Sequence, residues 1–255
     1  MDELFNAKNF INAKHKNCNI NYDRILQNMV KSWQEHGFRP KIMIHSCCAP
    51  CSTVVLEYLA DVADVTIYFS NSNIHPKSEY DYRKQVQEDF IIQFNQRTNH
   101  TVQFLADEYN PKRFLEMAKG MEDEVEGGKR CHACYDMRLS RAAEKAKELD
   151  FDYFASALTL SPHKNSQIIN DVGFNIETFL TVHYLPSDFK KNNGYRRSVD
   201  MCKEYDIYRQ CYCGCVFAAK QQGVDLKAVN QHAREQLEKH RQNIPFYFIK
   251  QNDND

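Results

Sequence analysis

Apolar positions along the chain switch repeatedly between a short continuous run and a helical period. Residues 1–40 are polar and rich in Asn and Lys, except that Ile25, Leu26, Met29, Val30 and Trp33 recur at helical spacing over residues 22–33. Residues 41–46 then read as a short buried strand, followed by a Cys-rich turn and a helical pattern over 52–60. The same unit recurs: a strand at 65–70, a loop at 71–77, and a long amphipathic helix from 79 to about 96. A third strand at 101–105 precedes a helix at 111–119, where Pro111 suits the first helical position. Residues 120–130 hold four acids and three glycines, which predicts a solvated loop delivering the chain to Cys131. Beyond it come a helix at 137–149, a strand at 152–158, a turn at 161–165, and a short helix at 166–172 stopped by Gly173. After Tyr184 the pattern predicts a basic loop at 188–197, a helix to about Gln210, a Cys-rich segment at 211–215, and a final amphipathic helix with a polar tail.

Strand and helix alternating in this way predict an α/β fold with a parallel sheet covered by helices. The expected division is an N-terminal helical arm at 1–40, an α/β catalytic unit at 41–215, and a C-terminal helical extension at 216–255.

Composition narrows the class. Hydrophobic residues make up 42% and charged residues 26%, with 16 Phe and 14 Tyr to fill a core, so a disordered or fibrous chain is excluded. Apolar runs such as 42–44 and 54–56 fall far short of the roughly 20 residues a membrane span needs. Residues 1–6 show no basic segment leading into an apolar one, which points to the cytoplasm. A net charge of -1 neither demands nor excludes a polyanionic partner. The ten cysteines are more telling, because thiols in a reducing compartment serve metal or redox chemistry more often than structural disulfides.

Seven of these thiols fall in three groups: Cys47, Cys48 and Cys51; Cys131 and Cys134; Cys213 and Cys215. All follow strands or sit in loops, and sites in such folds gather at the carboxyl ends of the strands. A cubane cluster or a closed zinc site needs four ligands, so the surplus points to a metal centre plus a separate redox pair. The adjacent thiols Cys47 and Cys48 bridge poorly to one another but can both face a polynuclear centre. Cys51, at a helix N-terminus after Pro50, can be a third ligand, a nucleophile, a ligand of a second metal, or an inert packed residue. The spacing of Cys213 and Cys215 permits a readily reduced disulfide, whereas Cys18, Cys202 and Cys211 have no clear partner.

His75 lies in a polar loop after a strand and reads equally as a structural hydrogen bonder. His163 and Lys164, also after a strand, can donate protons or bind phosphate. Lys190, Lys191, Arg196 and Arg197 flank Tyr195, forming a basic patch with an aromatic ring able to stack on a base.

Taken together, five motifs resemble the QueH type of epoxyqueuosine reductase. They are His45-Ser46-Cys47-Cys48-Ala49-Pro50-Cys51, Cys131-x-x-Cys134-Tyr135-x-x-Arg138-Leu139, Ser161-Pro162-His163-Lys164-Asn165, Ser187-Asp188-Phe189-Lys190-Lys191 with Gly194-Tyr195, and Tyr208-Arg209-Gln210-x-Tyr212-Cys213-Gly214-Cys215. The resemblance implies removal of the epoxide oxygen of epoxyqueuosine at the wobble position of tRNA, the last step of queuosine synthesis. It assigns Cys47, Cys48, Cys131 and Cys134 to a 4Fe-4S cluster, and Cys213 with Cys215 to a redox-active disulfide. It also implies an adjacent second metal, iron or zinc, for which Asp188 and Cys51 are candidate ligands. His163 and Tyr195 are candidate proton donors to the departing oxygen. The implied partners are the tRNA anticodon loop and an unidentified electron donor. The fold is also similar to the Rossmann-like (HUP/PP-loop) folds of tRNA sulfurtransferases. There, however, a Ser-Gly-Gly phosphate loop follows the first strand, and Ser46-Cys47-Cys48-Ala49-Pro50 lacks its glycines, which argues against ATP use. The competing readings are an iron-sulfur tRNA sulfurtransferase, which would need ATP, and a colourless zinc-stapled RNA-binding module.

Overall fold

The computed structural model describes residues 5–11 and 19–243, so Cys18, the polar tail after residue 243 and most of the first six residues lie outside the described residues. Five strands, β1 (Lys41–His45), β2 (Asp64–Phe69), β3 (Gln103–Ala106), β4 (Tyr153–Ser156) and β5 (His183–Tyr184), form one sheet in the order β3-β2-β1-β4-β5. Every pairing is parallel; β1 aligns His45 with Tyr68 on one side and with Ser156 on the other. The α/β expectation therefore holds. Strand order reverses direction at β1 and β4, and the crevice beyond their carboxyl ends is where such sheets bind ligands.

Both faces of the sheet are covered, so β1 is buried almost throughout instead of alternating. Ile42 and Ile44 point into one core with α1 (Tyr22–Glu35), α2 (Ala49–Leu59), α3 (Lys77–Thr98) and α7 (Gly194–Glu204). Met43 points the other way, toward α5 (Lys129–Glu148) and α6 (Ser166–Glu177). The N-terminal helix is part of this packing, for Trp33 is fully buried and its indole N–H donates to the Tyr153 hydroxyl at 3.4 Å.

Three expectations are corrected. The loop at 120–130 does not reach Cys131: α4 (Pro111–Met117) is followed by turns, and α5 already begins at Lys129, with Gly128 at its N-cap. Gly173 does not stop α6, which runs on to Glu177; a Cβ there would lie 2.3 Å from the Tyr184 ring, so glycine serves close helix-sheet packing. The C-terminal segment is two helices, α8 (Val216–Gln221) and α9 (Leu226–Asn243), parted by Gly223 at φ +65°. Among the described residues, no helix is long and apolar enough to cross a membrane.

Candidate metal and redox centre

Two of the three thiol groups sit on the opening turns of long helices. Cys48 is the N-cap of α2 with Cys51 one turn in, while Cys131 and Cys134 occupy the first turns of α5. The third group precedes α8, where the Cys215 sulfur accepts the Ala218 N–H at 3.2 Å as an N-cap.

Cys47, Cys48 and Cys51 converge most tightly. Their sulfurs lie 3.7 Å (Cys47–Cys48), 3.8 Å (Cys47–Cys51) and 3.0 Å (Cys48–Cys51) apart, close enough for one ion to touch all three. Bonds of about 2.3 Å in a tetrahedron put sulfurs about 3.8 Å apart, the spacing of the two longer edges. Hydrogen bonding with Cys48 and Cys51, helped by nearby Arg138 and Lys164, holds the Cys47 thiol well below its ordinary value. Burial pushes Cys48 up, and Gln210 donates to its sulfur at 2.9 Å.

The remaining thiols divide around α5. Cys131 packs against the apolar cluster that contains Cys47 and Cys48, whereas Cys134 is buried with Cys215 and against Cys213. Desolvation pushes Cys134 up to about 12. All nine described cysteines are free thiols.

Between these groups lies a side chain that sequence reasoning quoted only as part of a motif. Arg138 is buried, donates through Nε to the Cys134 carbonyl at 3.2 Å, and has no hydrogen-bond partner for either terminal nitrogen. Burial alone would lower its pKa, but Cys134, Cys213 and Cys47 face the guanidinium and raise it. Lys164 joins it, its ammonium 3.5 Å from the Cys213 sulfur and held protonated by Cys213 above all. An unpartnered buried cation ringed by thiols matches an anionic metal-thiolate group, so the donor set fits a cluster. In the metal-free protein, Arg138→Met is accordingly expected not to lower stability, because the terminal nitrogens it removes have no hydrogen-bond partner there. The same change should lower the iron retained after reconstitution; denaturant titration and iron analysis test the pair.

A cavity of about 400 Å³ opens over this centre at the crevice between β1 and β4. Cys47, Cys51 and Cys213 reach its wall together with His163, Lys164 and Tyr195, so the structure gathers candidates from four separate stretches of chain. Tyr195 and Arg209 form one edge, with the guanidinium 5.8 Å from the ring centre and donating to the hydroxyl at 3.3 Å. Asp188 is not on that wall: it accepts from Ser166 at 3.0 Å and pairs with Lys190 at 3.0 Å. The basic patch is also thinner than its sequence. Lys190 is tied to Asp188 and to two carbonyls, and Arg197 is paired with Glu57 and Glu204, which leaves Lys191 and Arg196 exposed beside Tyr195.

The loop that carries Cys213 and Cys215 is held from beneath. Gly214 takes φ +118°, and a Cβ there would meet Ile74 at 2.9 Å and Arg83 at 3.1 Å. Its carbonyl accepts the His75 N–H at 2.8 Å, and the Tyr212 hydroxyl donates to the His75 carbonyl. His75 thus acts through its backbone. Arg83, buried and paired with buried Glu79 at 2.7 Å, donates to the carbonyls of Tyr212 and Cys213 at 3.2 and 3.1 Å.

A family model for epoxyqueuosine reductase QueH matches residues 42–221. The epoxyqueuosine reductase QueH of Streptococcus pyogenes serotype M1 is 60% identical over 86% of this chain and 86% of its own length. The chain belongs to the QueH family. The QueH protein of Staphylococcus epidermidis is 54% identical over 89% of this chain and 96% of that protein. Among solved structures, the U34-tRNA thiolase NcsA from Methanococcus maripaludis with its [4Fe-4S] cluster aligns with a TM-score of 0.44 at 11% identity, covering 87% of this chain and 80% of that one.

In this QueH-family chain the strand end at His45 is electrostatically strict. His45 is fully buried; Nε2 donates to the Ser70 carbonyl at 3.2 Å and to Asn71 Oδ1 at 3.3 Å, and Nδ1 has no partner. Burial, reinforced by Arg138, lowers its pKa from 6.5 to about 4. The unfolded chain therefore takes up a proton at His45 between about pH 6.5 and 4 that the folded chain refuses. Its stabilising contribution is complete above that window and is lost as pH falls through it, by about 2 kcal/mol between pH 7.5 and 5. Urea unfolding of the metal-free protein at the two pH values should show this loss, and His45→Gln should show less of it.

Proposed function

We propose that this chain, working in the cytoplasm, reduces epoxyqueuosine at the wobble position of tRNA to queuosine. The observation that carries the reading is the cavity itself: thiols, an ammonium and an aromatic edge meet at the sheet's switch point, in a volume suited to a modified base. The reaction removes one oxygen as water and consumes two electrons and two protons. Two thiols closing to one disulfide release that number of each, which suits Cys213 and Cys215 as the redox pair.

Cys47, Cys48, Cys131 and Cys134 would hold the 4Fe-4S cluster, within residues 41–215 as the catalytic unit. When bound, the cluster supplies single electrons at a potential that its hydrogen bonds and surrounding charge tune. Cys51, on the cavity wall, would serve the adjacent iron or zinc; Asp188 would join it only on release from Ser166 and Lys190. His163, exposed at the cavity, and Tyr195, whose hydroxyl accepts from Arg209, would give a proton to the departing oxygen. An external electron donor must restore the thiols after each turnover.

The deciding experiment is nucleoside mass spectrometry on epoxyqueuosine-containing tRNA incubated anaerobically with reconstituted protein and a chemical reductant, without ATP. Loss of one oxygen from the modified base is expected. An unchanged base, with iron content verified in the same sample, would overturn the reading, and a heavier base formed only with ATP would establish sulfur transfer instead.

A further inference from the structure

Among the described residues lining the cavity, Glu126 is the sole carboxylate. It stands in a wall that also presents Lys164 and Arg209, in a site that must accept a polyanion. A carboxylate there repels phosphate and weakens every tRNA unless it meets a positive charge on the right one. Its position is fixed: Gln222 of the turn after α8 donates to Glu126 Oε2 at 2.5 Å, and Gln221 donates to the Glu124 carbonyl at 2.7 Å. These two contacts latch the acidic segment against α8, just beyond Cys215. The glycines at 127 and 128 lead directly from Glu126 into α5, so the carboxylate and Cys131 are carried on one short stretch of chain.

We infer that Glu126 recognises the secondary ammonium of the modified base, resting on the reductase reading above. In epoxyqueuosine the epoxide-bearing ring hangs from a deazaguanine through a methylene and a secondary amine, and such an alkylamine is protonated near neutral pH, as lysine is. Unmodified guanine offers no cation at that place. Glu126 therefore both attracts the modified base and penalises the unmodified one, and the same charge acts in opposite directions on the two tRNAs.

The test uses cluster-loaded protein under anaerobic conditions. It measures the affinity for one tRNA carrying either epoxyqueuosine or guanosine at the wobble position, with oxygen loss followed in the same preparations. Wild-type protein is expected to prefer the epoxyqueuosine tRNA. Glu126→Gln should bind that tRNA about 10-fold to 100-fold more weakly. It should bind the guanosine tRNA no less tightly than wild type, and Glu126→Asp should keep most of the preference. A purely structural role for Glu126 would weaken both tRNAs together. Equal losses on both tRNAs, or an unchanged preference in Glu126→Gln, would overturn the inference while oxygen loss by the wild-type protein still stood. Absence of oxygen loss in the wild-type protein would remove the reductase reading and this inference with it.

Discussion

Cys213→Ser and Cys215→Ser are each expected to lower steady-state epoxide reduction by about 10³-fold or more while iron content stays at the wild-type level. Cys134→Ser is expected to lose the iron itself. The contrast is demanding because these three sulfurs are neighbours: Cys134 and Cys215 share one buried cluster, and Cys213 packs against it. Residues in such contact often substitute for one another, so proximity alone predicts similar phenotypes for all three. The proposed partition predicts different ones. Iron analysis and visible absorbance on the purified variants decide it, and loss of iron from Cys213→Ser would show that the ligands are wrongly divided.

The second large effect is expected at Arg83, far from any thiol in sequence. Arg83→Met leaves the Glu79 carboxylate buried without its partner and two loop carbonyls without their donor, which costs about 3–5 kcal/mol. Chemical denaturation measures the loss. In the double variant Glu79→Gln/Arg83→Met the stranded charge is gone, so much of the stability should return. Activity should not return, because the carbonyls of Tyr212 and Cys213 still lack the guanidinium that fixes the loop. Recovery of activity in the double variant would mean that Arg83 only balances Glu79.

The parts of the fold legible in the sequence were those built from sustained periodicity. The strands β1 and β2 and the long helices α3 and α5 follow from apolar runs and helical spacing. The opening two turns of α5 were hidden because Lys129, Arg130, His132 and the cysteines show no apolar stripe, and the glycines before them resemble loop. A two-residue strand such as β5 carries no period at all. Cysteine spacing named the thiols, and the structure brings Cys47, Cys48 and Cys51 together, with the remaining groups arranged about α5. What spacing could not show were the charges among them. An arginine read in isolation is a surface residue. Yet Arg83, Arg130 and Arg138 are all buried, the last two on the helix that carries Cys131 and Cys134. The usable signal was an arginine one turn after Cys134 on a helix whose neighbouring positions, Leu139, Ala142 and Ala143, are core. Glu126 escaped notice for the opposite reason, since one acid among four in a polar segment looks like solvent-facing charge.

The packing of α1 sets a limit on how small a working piece of this protein can be made. All five motifs lie beyond Lys41, and a fragment cut there would keep every residue assigned to chemistry. It would also bare the Tyr153 ring that Trp33 packs against and open the core that Met29 and Trp33 share with Ile42 and Leu59, behind the strand that ends at His45 and the cysteines. A truncated enzyme is therefore expected to fail as an aggregating protein before it fails as a catalyst, and crystallographic or engineering work should retain the helix that precedes the first motif.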